Sequence, residues 1–366
     1  MARTQLGSLL PDFPWNSLEP IKAQAQAHPD GLINLSVGSP IDEVAPGIQL
    51  ALSQAAAAPG YPQTIGTPQL RQSIIKALER RFHCPQVKGV LPVIGTKEAI
   101  ALLPTLLGIR GHVLIPRIAY PTYEVAVLMA GATPVRCDDP SELPEDIARD
   151  VDLIFINSPA NPTGEIIALN KLQQLIAWAR EHNAIIASDE CYLGLVWEGE
   201  AFSVLDERVC AGNHDNILAI HSLSKTSNLA AYRAGFFAGD EQLIAELTEV
   251  RKHAGLMMPG PNQAAMAAAL DDDLQEQLQK MRYQKRREAL LEALTQAGFR
   301  IEHSEAGLYL WATRDENCWD TVRWFAQHGI VVAPGSFYGE QAENFVRIAL
   351  TGSDEDIAQV VQRLGS

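Results

Sequence analysis

The chain has 366 residues, enough for two domains or for one large α/β unit with a satellite. At 47% hydrophobic and 20% charged it has the composition of a globular protein with a sizeable core. Its net charge of −15, from 29 basic and 44 acidic residues, argues against nucleic acid as a partner.

The five cysteines (Cys84, Cys137, Cys191, Cys210 and Cys318) include no C-x-x-C pair. Neither a disulfide framework nor a structural metal site is expected, and a reducing cytoplasm suits the chain better. The first residues show no apolar segment of the secretory kind. The longest apolar stretch, Ala99 to Ile109, is interrupted by Pro104 and is too short to cross a bilayer, so no membrane partner is expected.

In chain order, Leu10-Pro11-Asp12-Phe13-Pro14-Trp15 reads as an extended arm leading into a helix near 17–27. An apolar arm needs a surface to cover, its own or a partner subunit's. A short strand, Leu32-Ile33-Asn34-Leu35, precedes the turn Ser36-Val37-Gly38-Ser39-Pro40, where Gly38 would let the backbone approach a ligand closely. The loop Gly60-Tyr61-Pro62 leads to Thr67, which caps a helix opened by Pro68 and running to about Phe82. Tyr61 is either a packing tyrosine or a ligand hydroxyl.

Strand Val90–Ile94 runs into Gly95-Thr96-Lys97-Glu98-Ala99, a glycine turn opening an apolar helix. Such a turn points free N–H groups outward, a natural phosphate seat, although most such turns bind nothing. Strand His112–Pro116 is followed by Arg117-Ile118-Ala119-Tyr120-Pro121-Thr122-Tyr123 and a helix, then by a short strand, Ala132–Arg136. Leu153–Ile156 is a buried strand ending in Asn157-Ser158-Pro159-Ala160-Asn161-Pro162-Thr163-Gly164, with a helix over 170–182 after it. Ala184–Ala187 is another, ending in Ser188-Asp189-Glu190-Cys191-Tyr192.

The apolar run Ile217-Leu218-Ala219-Ile220 then delivers His221-Ser222-Leu223-Ser224-Lys225, with Arg233 eight residues on. A lysine that ends a buried strand is costly unless it is paired or chemically used. A Schiff base to an aldehyde cofactor fits, with Ser222, Ser224 and Arg233 on a phosphate; a surface lysine in a serine-rich loop is the alternative. A further strand is expected at Gly235–Gly239.

Short apolar strands alternating with helices predict an α/β fold, a mostly parallel sheet covered by helices. Ligands bind such sheets beyond the carboxyl ends of the strands, where Asn161, Asp189 and the 222–225 segment fall. From Asn262 to Ala297 the pattern is helical, broken near Asp271-Asp272-Asp273. Strands near 298–301, 307–311, 330–333 and 344–350, with helices over 318–328 and 354–364, predict a smaller α+β unit. Expected boundaries are 1–42 for the arm and part of the small domain, 43–270 for the large domain, and 271–366 for the interdomain helix and small domain. Arg347 interrupts an apolar strand; a buried arginine wants a planar anion, or else an internal salt bridge.

Taken in order, the tyrosine loop, G-T-K-E-A, A-Y-P-T-Y, N-P-T-G, D-E-C-Y and S-x-S-K with its arginine resemble the class I/II aminotransferases, pyridoxal-phosphate enzymes of fold type I. The resemblance spans about residues 30–350 and implies a seven-stranded-type sheet in the large domain. It implies pyridoxal 5′-phosphate held by Lys225, with Asp189 on the ring nitrogen, Tyr192 and Asn161 on the phenolic oxygen, and Tyr120 stacked on the ring. Thr96, Lys97, Ser222, Ser224 and Arg233 would hold the phosphate. Tyr61 would reach the neighbouring subunit's phosphate, implying a homodimer with shared active sites. Arg347 would grip the substrate α-carboxylate in a pocket lined by Gly38.

Two positions depart from the family pattern: Ala231 stands for the usual glycine before the phosphate arginine, and Ile41-Asp42 replaces an aromatic or acidic tail after the glycine turn. Within the family, the Pro-Asp-Phe-Pro-Trp arm, the run His28–Pro40 and Pro59-Gly60-Tyr61-Pro62 look like the actinobacterial N-succinyldiaminopimelate aminotransferases. That implies amino transfer from glutamate to N-succinyl-2-amino-6-oxopimelate in diaminopimelate and lysine biosynthesis. A long di-anionic substrate needs a second cation, and Arg117 is the candidate. Another amino acid (aspartate, alanine or kynurenine-like) and a C–S lyase on the same fold are the competing readings.

Overall fold

The computed structural model describes residues 5–365. Thirteen strands occur among them: β1 (Ile33–Asn34), β2 (Gly89–Ile94), β3 (His112–Ile115), β4 (Thr133–Arg136), β5 (Val151–Asn157), β6 (Ile185–Asp189), β7 (Ile217–Ser222), β8 (Ala234–Gly239), β9 (Arg300–Glu302), β10 (Tyr309–Thr313), β11 (Ile330–Val331), β12 (Ala333–Pro334) and β13 (Phe345–Ala349). Seven of them form one sheet in the order β2-β8-β7-β6-β5-β3-β4. The pairs β3/β4, β3/β5, β5/β6 and β6/β7 are parallel, whereas β8 is antiparallel to both its neighbours. The sheet is therefore mixed, and mostly parallel as the strand–helix alternation implies.

Near-continuous apolar runs make these strands because helices cover both faces. Side chains alternate along each strand, so Ile154, Ile156, Ile186 and Ala219 join the core on one face. Leu153, Phe155, Ala187, Leu218 and Ile220 join the core on the other. The helix Pro68–Phe82 opens as its sequence dictates, with Thr67 Oγ1 accepting the Leu70 N–H at 3.2 Å and Pro68 at the first turn. Its buried stripe is Leu70, Ile74, Ala77 and Leu78.

A second sheet, antiparallel and ordered β12-β13-β10-β9, packs on its own core of Leu310, Ala312, Val322, Phe325, Val346 and Ile348. The predicted strand over 330–333 is two short strands instead. Ile330–Val331 pairs in parallel with β1, while Ala333–Pro334 pairs with β13. The chain bends at Val332 to serve two sheets, and Pro334, with no N–H, sits on an edge. The acidic triplet both breaks and anchors the helical region. Asp272 caps the helix Asp273–Gln296 by accepting the Leu274 and Gln275 N–H groups at 2.9 and 3.4 Å. Asp273 ties that helix to Arg80 and Arg81, each at 2.6 Å.

Two helices longer than a single turn lie outside the sequence reading. Pro46–Ala55 lacks a side-chain cap, and Glu241–Ala254 begins at Asp240, which caps the Gln242 and Leu243 N–H groups at 2.7 and 3.2 Å. No helix among the described residues is long and apolar enough to cross a membrane.

Register positions the chemistry. Asn157 and Asp189 face each other at the carboxyl ends of β5 and β6. On the smaller sheet Trp311 pairs with Arg347 and Tyr309 with Ala349, so Tyr309, Trp311 and Arg347 share one face, with Tyr309 diagonal to Arg347.

Candidate active site

Four strand ends, those of β2, β5, β6 and β7, converge on one polar region. At the first, Gly95 turns the chain with φ +78° into the helix Thr96–Leu106. The Arg233 guanidinium lies directly on this glycine: a Cβ there would fall 2.6 Å from its Cζ. Arg233 itself has φ +56°, and its Nη1 donates to the Ala230 carbonyl at 2.9 Å. Burial, and then the charge of Arg233, holds the Lys97 amine below its ordinary pKa. Among the described residues neither cation is paired with a carboxylate. Ser222 Oγ accepts the Ser224 N–H at 3.1 Å and caps the single turn Leu223–Thr226 that carries Lys225. Two unneutralised cations beside the free N–H groups of a helix start can hold a phosphate.

Lys225 donates from Nζ to the Gly38 carbonyl, and burial depresses its pKa. Asp189 is buried and accepts from the Tyr123 hydroxyl at 2.8 Å and the Cys191 N–H at 3.2 Å. Burial outweighs these donors and leaves its carboxyl above the usual range. No cation pairs with Asp189 among the described residues, which suits a positively charged ring nitrogen. Tyr120 meets Tyr123 edge-on at 5.7 Å, and burial pushes its phenol up to about 12. Cys191 Sγ donates to Thr96 Oγ1 at 3.4 Å, joining the ends of β6 and β2.

The Asn157 side chain organises the next loop, donating to the carbonyls of Pro159 at 3.1 Å and Asp189 at 2.8 Å and accepting the Asn161 N–H at 2.7 Å. Asn161 Oδ1 in turn accepts from Arg347 Nη1 at 2.8 Å, while Arg347 Nη2 donates to the Ser36 carbonyl at 2.7 Å. Arg347 is buried, and its Nε has no partner. The aromatic rings of Tyr309, Tyr338 and Trp15 stand 3.9, 5.2 and 5.8 Å from its Cζ. The internal salt bridge offered as an alternative is absent: no carboxylate pairs with Arg347 among the described residues. A buried guanidinium held by carbonyls and rings, with no carboxylate of its own, can receive an external one.

Gly38 is a close-approach glycine: a Cβ there would stand 2.8 Å from the Tyr309 ring. Tyr192 and Tyr309 meet hydroxyl to hydroxyl at 3.2 Å. Two residues singled out in the sequence lie apart from this cluster. Tyr61 is 99% exposed, so its own chain does not bring it to the others. Arg117 is half exposed between Asp138 and Glu142, at 3.8 and 3.9 Å. Asp42 accepts from Arg286 at 2.8 and 2.7 Å and from Gln279 at 2.7 Å, which commits its carboxylate to the long helix.

Sequence reasoning passed over Tyr123, Asn157, Ser36 and Tyr309. Tyr123 was within reach as the residue one helical turn after Tyr120. Tyr309 was not, because a tyrosine on the strand beside Arg347 shares its face only in the observed register.

A family model described as "Aminotransferase class I and II" matches residues 30–364. The chain belongs to the class I and II aminotransferases. It is 54% identical to "Probable aminotransferase Rv1178" of Mycobacterium tuberculosis, over 99% of this chain and 87% of that protein. It is 49% identical to "4-dedimethylamino-4-oxo-anhydrotetracycline transaminase OxyQ" of Streptomyces rimosus, over 97% of this chain and 99% of that one. Among solved structures, a "probable N-succinyldiaminopimelate aminotransferase" from Thermus thermophilus superposes with a TM-score of 0.83 at 26% identity, covering 96% of this chain and 99% of that one.

Aminotransferases of this family depend on pyridoxal 5′-phosphate, and this chain does too. Their substrates are small amino and keto acids. The cluster fits the cofactor: cations without acids at the helix start, a buried amine, and a buried carboxylate without a cation.

Proposed function

We propose that the chain transfers an amino group from L-glutamate to N-succinyl-2-amino-6-oxopimelate, as a succinyldiaminopimelate transaminase of lysine biosynthesis. The observation that carries the amino-acid and keto-acid chemistry is Arg347, buried and without a carboxylate of its own. The likeness of the arm and the tyrosine loop to that subgroup, and the name of the Thermus neighbour, support the acceptor.

In this reading Lys225 anchors the cofactor through its amine. Asp189 would keep the ring nitrogen protonated, Asn161 and Tyr192 would hydrogen-bond the phenolic oxygen, and Tyr120 would cover the ring. Arg233, Ser222, Ser224 and the N–H groups of Thr96 and Lys97 hold the phosphate. When bound, the cofactor supplies an electron sink for the substrate Cα–H bond. Arg347 orients the α-carboxylate against the Gly38 wall. The Lys225 amine would carry the proton to and from the substrate Cα, work to which its burial-depressed pKa suits it. Transamination runs in two halves, glutamate leaving as its keto acid before the acceptor enters.

Arg117 is the proposed partner of the acceptor's distal carboxylate. Its present ion pairs are long and exposed, of the kind worth about 0–1 kcal/mol, so an incoming carboxylate displaces them readily. Tyr61, 99% exposed, and the exposed apolar side chains Leu50, Leu274, Leu278 and Met281 support a homodimer in which Tyr61 reaches the partner's phosphate. Net charge −15 and five free cysteines support the cytoplasm as its location.

A second reading has an observation of its own. Trp15, Tyr338 and Tyr309 surround Arg347, and OxyQ is named for a tetracycline-type ketone, so a cyclic ketone acceptor is the competing substrate. A panel of acceptors with glutamate as donor decides. The proposal expects the succinylated acceptor to outpace small keto acids and cyclic ketones by kcat/KM. A preference for a cyclic ketone establishes the second reading, and pyruvate and ammonia released without any acceptor would indicate a lyase.

A further inference from the structure

Tyr338 has no role in the scheme above, yet its place in the fold is costly. The side chain is fully buried, and its hydroxyl has no hydrogen-bond partner among the described residues. Its ring is wedged edge-on between Trp15, at 6.5 Å, and Trp311, at 6.1 Å. The ring centre is 5.2 Å from Arg347 Cζ. The ionisable groups that act on the phenol are Arg347, Tyr309 and Tyr120, all of them members of the site, so the hydroxyl faces inward. The backbone holds it there: the Tyr338 carbonyl accepts the Ala119 N–H at 2.8 Å, from the residue just before Tyr120.

A buried hydroxyl that bonds nothing is destabilising, and such groups are rare enough in folded chains to need a reason. A second unpaired donor belongs to its neighbour. Arg347 gives Nη1 to Asn161 and Nη2 to the Ser36 carbonyl, while its buried Nε–H has no acceptor. A guanidinium only donates, and a phenol is free to donate. One water molecule accepts from both but leaves the Arg347 charge uncompensated. A carboxylate takes hydrogens from both and cancels the charge as well.

We propose that the Tyr338 hydroxyl is a second donor to the substrate carboxylate received at Arg347, and so a further substrate-binding residue of this chain. The inference rests on the assignment of Arg347 proposed above. The two donors come from different segments, the hydroxyl from the turn after β12 and the guanidinium from β13. A donor outside the guanidinium restrains the carboxylate from pivoting on it. The hydroxyl is left unbonded in the empty enzyme, and the fold bears that cost so that the donor is in place when substrate arrives.

The readout is the dissociation constant of sodium succinate, a carboxylate that cannot transaminate, measured by calorimetry on the cofactor-loaded enzyme. Tyr338→Phe deletes one oxygen and keeps the ring. It is expected to raise that constant about ten-fold or more, the loss of one hydrogen bond to a charged group. KM for glutamate rises with it while kcat stays within about two-fold, because the bond is made equally in the ground and transition states. Affinity for pyridoxal phosphate stays unchanged. Without succinate the loaded variant melts at or above the wild-type temperature, because an unmade buried bond has been removed.

An unchanged succinate constant overturns the proposal. So does a lower melting temperature without succinate, the mark of a hydroxyl that serves the fold, and so does a kcat that falls while KM holds. Failure of the underlying assignment looks different: Arg347→Ala then binds succinate as well as the wild type does. A wild type that binds no succinate overturns both.

Discussion

The Tyr123 hydroxyl donates to an Asp189 carboxylate oxygen at 2.8 Å, and both side chains are buried. With the Cys191 N–H it is one of two donors that favour the ionised carboxylate and partly offset the burial that raises its pKa. On the proposed assignment of Asp189, Tyr123 would support the cofactor's ring nitrogen without touching it. Tyr123→Phe removes one charge-assisted hydrogen bond, a loss of about 1.5–3 kcal/mol. Equilibrium dialysis of pyridoxal phosphate should show affinity falling by roughly ten- to a hundred-fold. Unchanged affinity would mean that Asp189 does not need this donor.

Asp189 also sets a pH dependence. Its folded pKa lies above the unfolded value, so the protonated form is the one that the fold accommodates. The stability linked to this group is fully present below the unfolded carboxylate pKa and is lost as pH rises through the folded value. In the apo-protein, Asp189→Asn should therefore melt higher than wild type at neutral pH, with the gap closing toward the acid end. With cofactor the order reverses, because the carboxylate then has its cation. Thermal melts of both proteins, with and without pyridoxal phosphate, check this. An apo variant less stable than wild type at neutral pH would refute it.

Arg347→Ala should weaken substrate binding by about 2–5 kcal/mol, the usual loss for one member of a desolvated charge pair. Glutamate KM is expected to rise while cofactor loading stays near normal, since no phosphate or ring contact is assigned to this side chain. An unchanged KM would move the carboxylate site elsewhere.

Two glycines should resist even a methyl group. At Gly38 a Cβ meets the Tyr309 ring at 2.8 Å, and at Gly95 it meets the Arg233 guanidinium at 2.6 Å with φ +78°. Gly38→Ala should lower kcat/KM at nearly normal cofactor affinity. Gly95→Ala should lower cofactor affinity first, because it displaces Arg233, the proposed phosphate arginine. Identical phenotypes would mean that the two glycines do not serve separate subsites.

The parallel sheet was legible because buried strands write themselves as unbroken apolar runs, and the polar groups at their ends, Asn161, Asp189 and Lys225, stand out against them. The cap at Thr67 was legible for a similar reason, a local rule acting on adjacent residues. What stayed hidden depends on register or on distance along the chain. Tyr309 comes to Arg347 only through the pairing of β10 with β13. Ser36 reaches Arg347 from the far end of the chain. The split of 330–333 between two sheets is decided by the partners β1 and β13, and nothing in those four residues announces it.

The proposed chemistry turns on one amine. Borohydride reduction of the cofactor-loaded enzyme, followed by peptide mapping, should place the reduced cofactor on the peptide containing Lys225, and Lys225→Ala should yield no labelled peptide. Label on another lysine, such as Lys97 at the helix start, or a protein that takes up no pyridoxal phosphate, would contradict it.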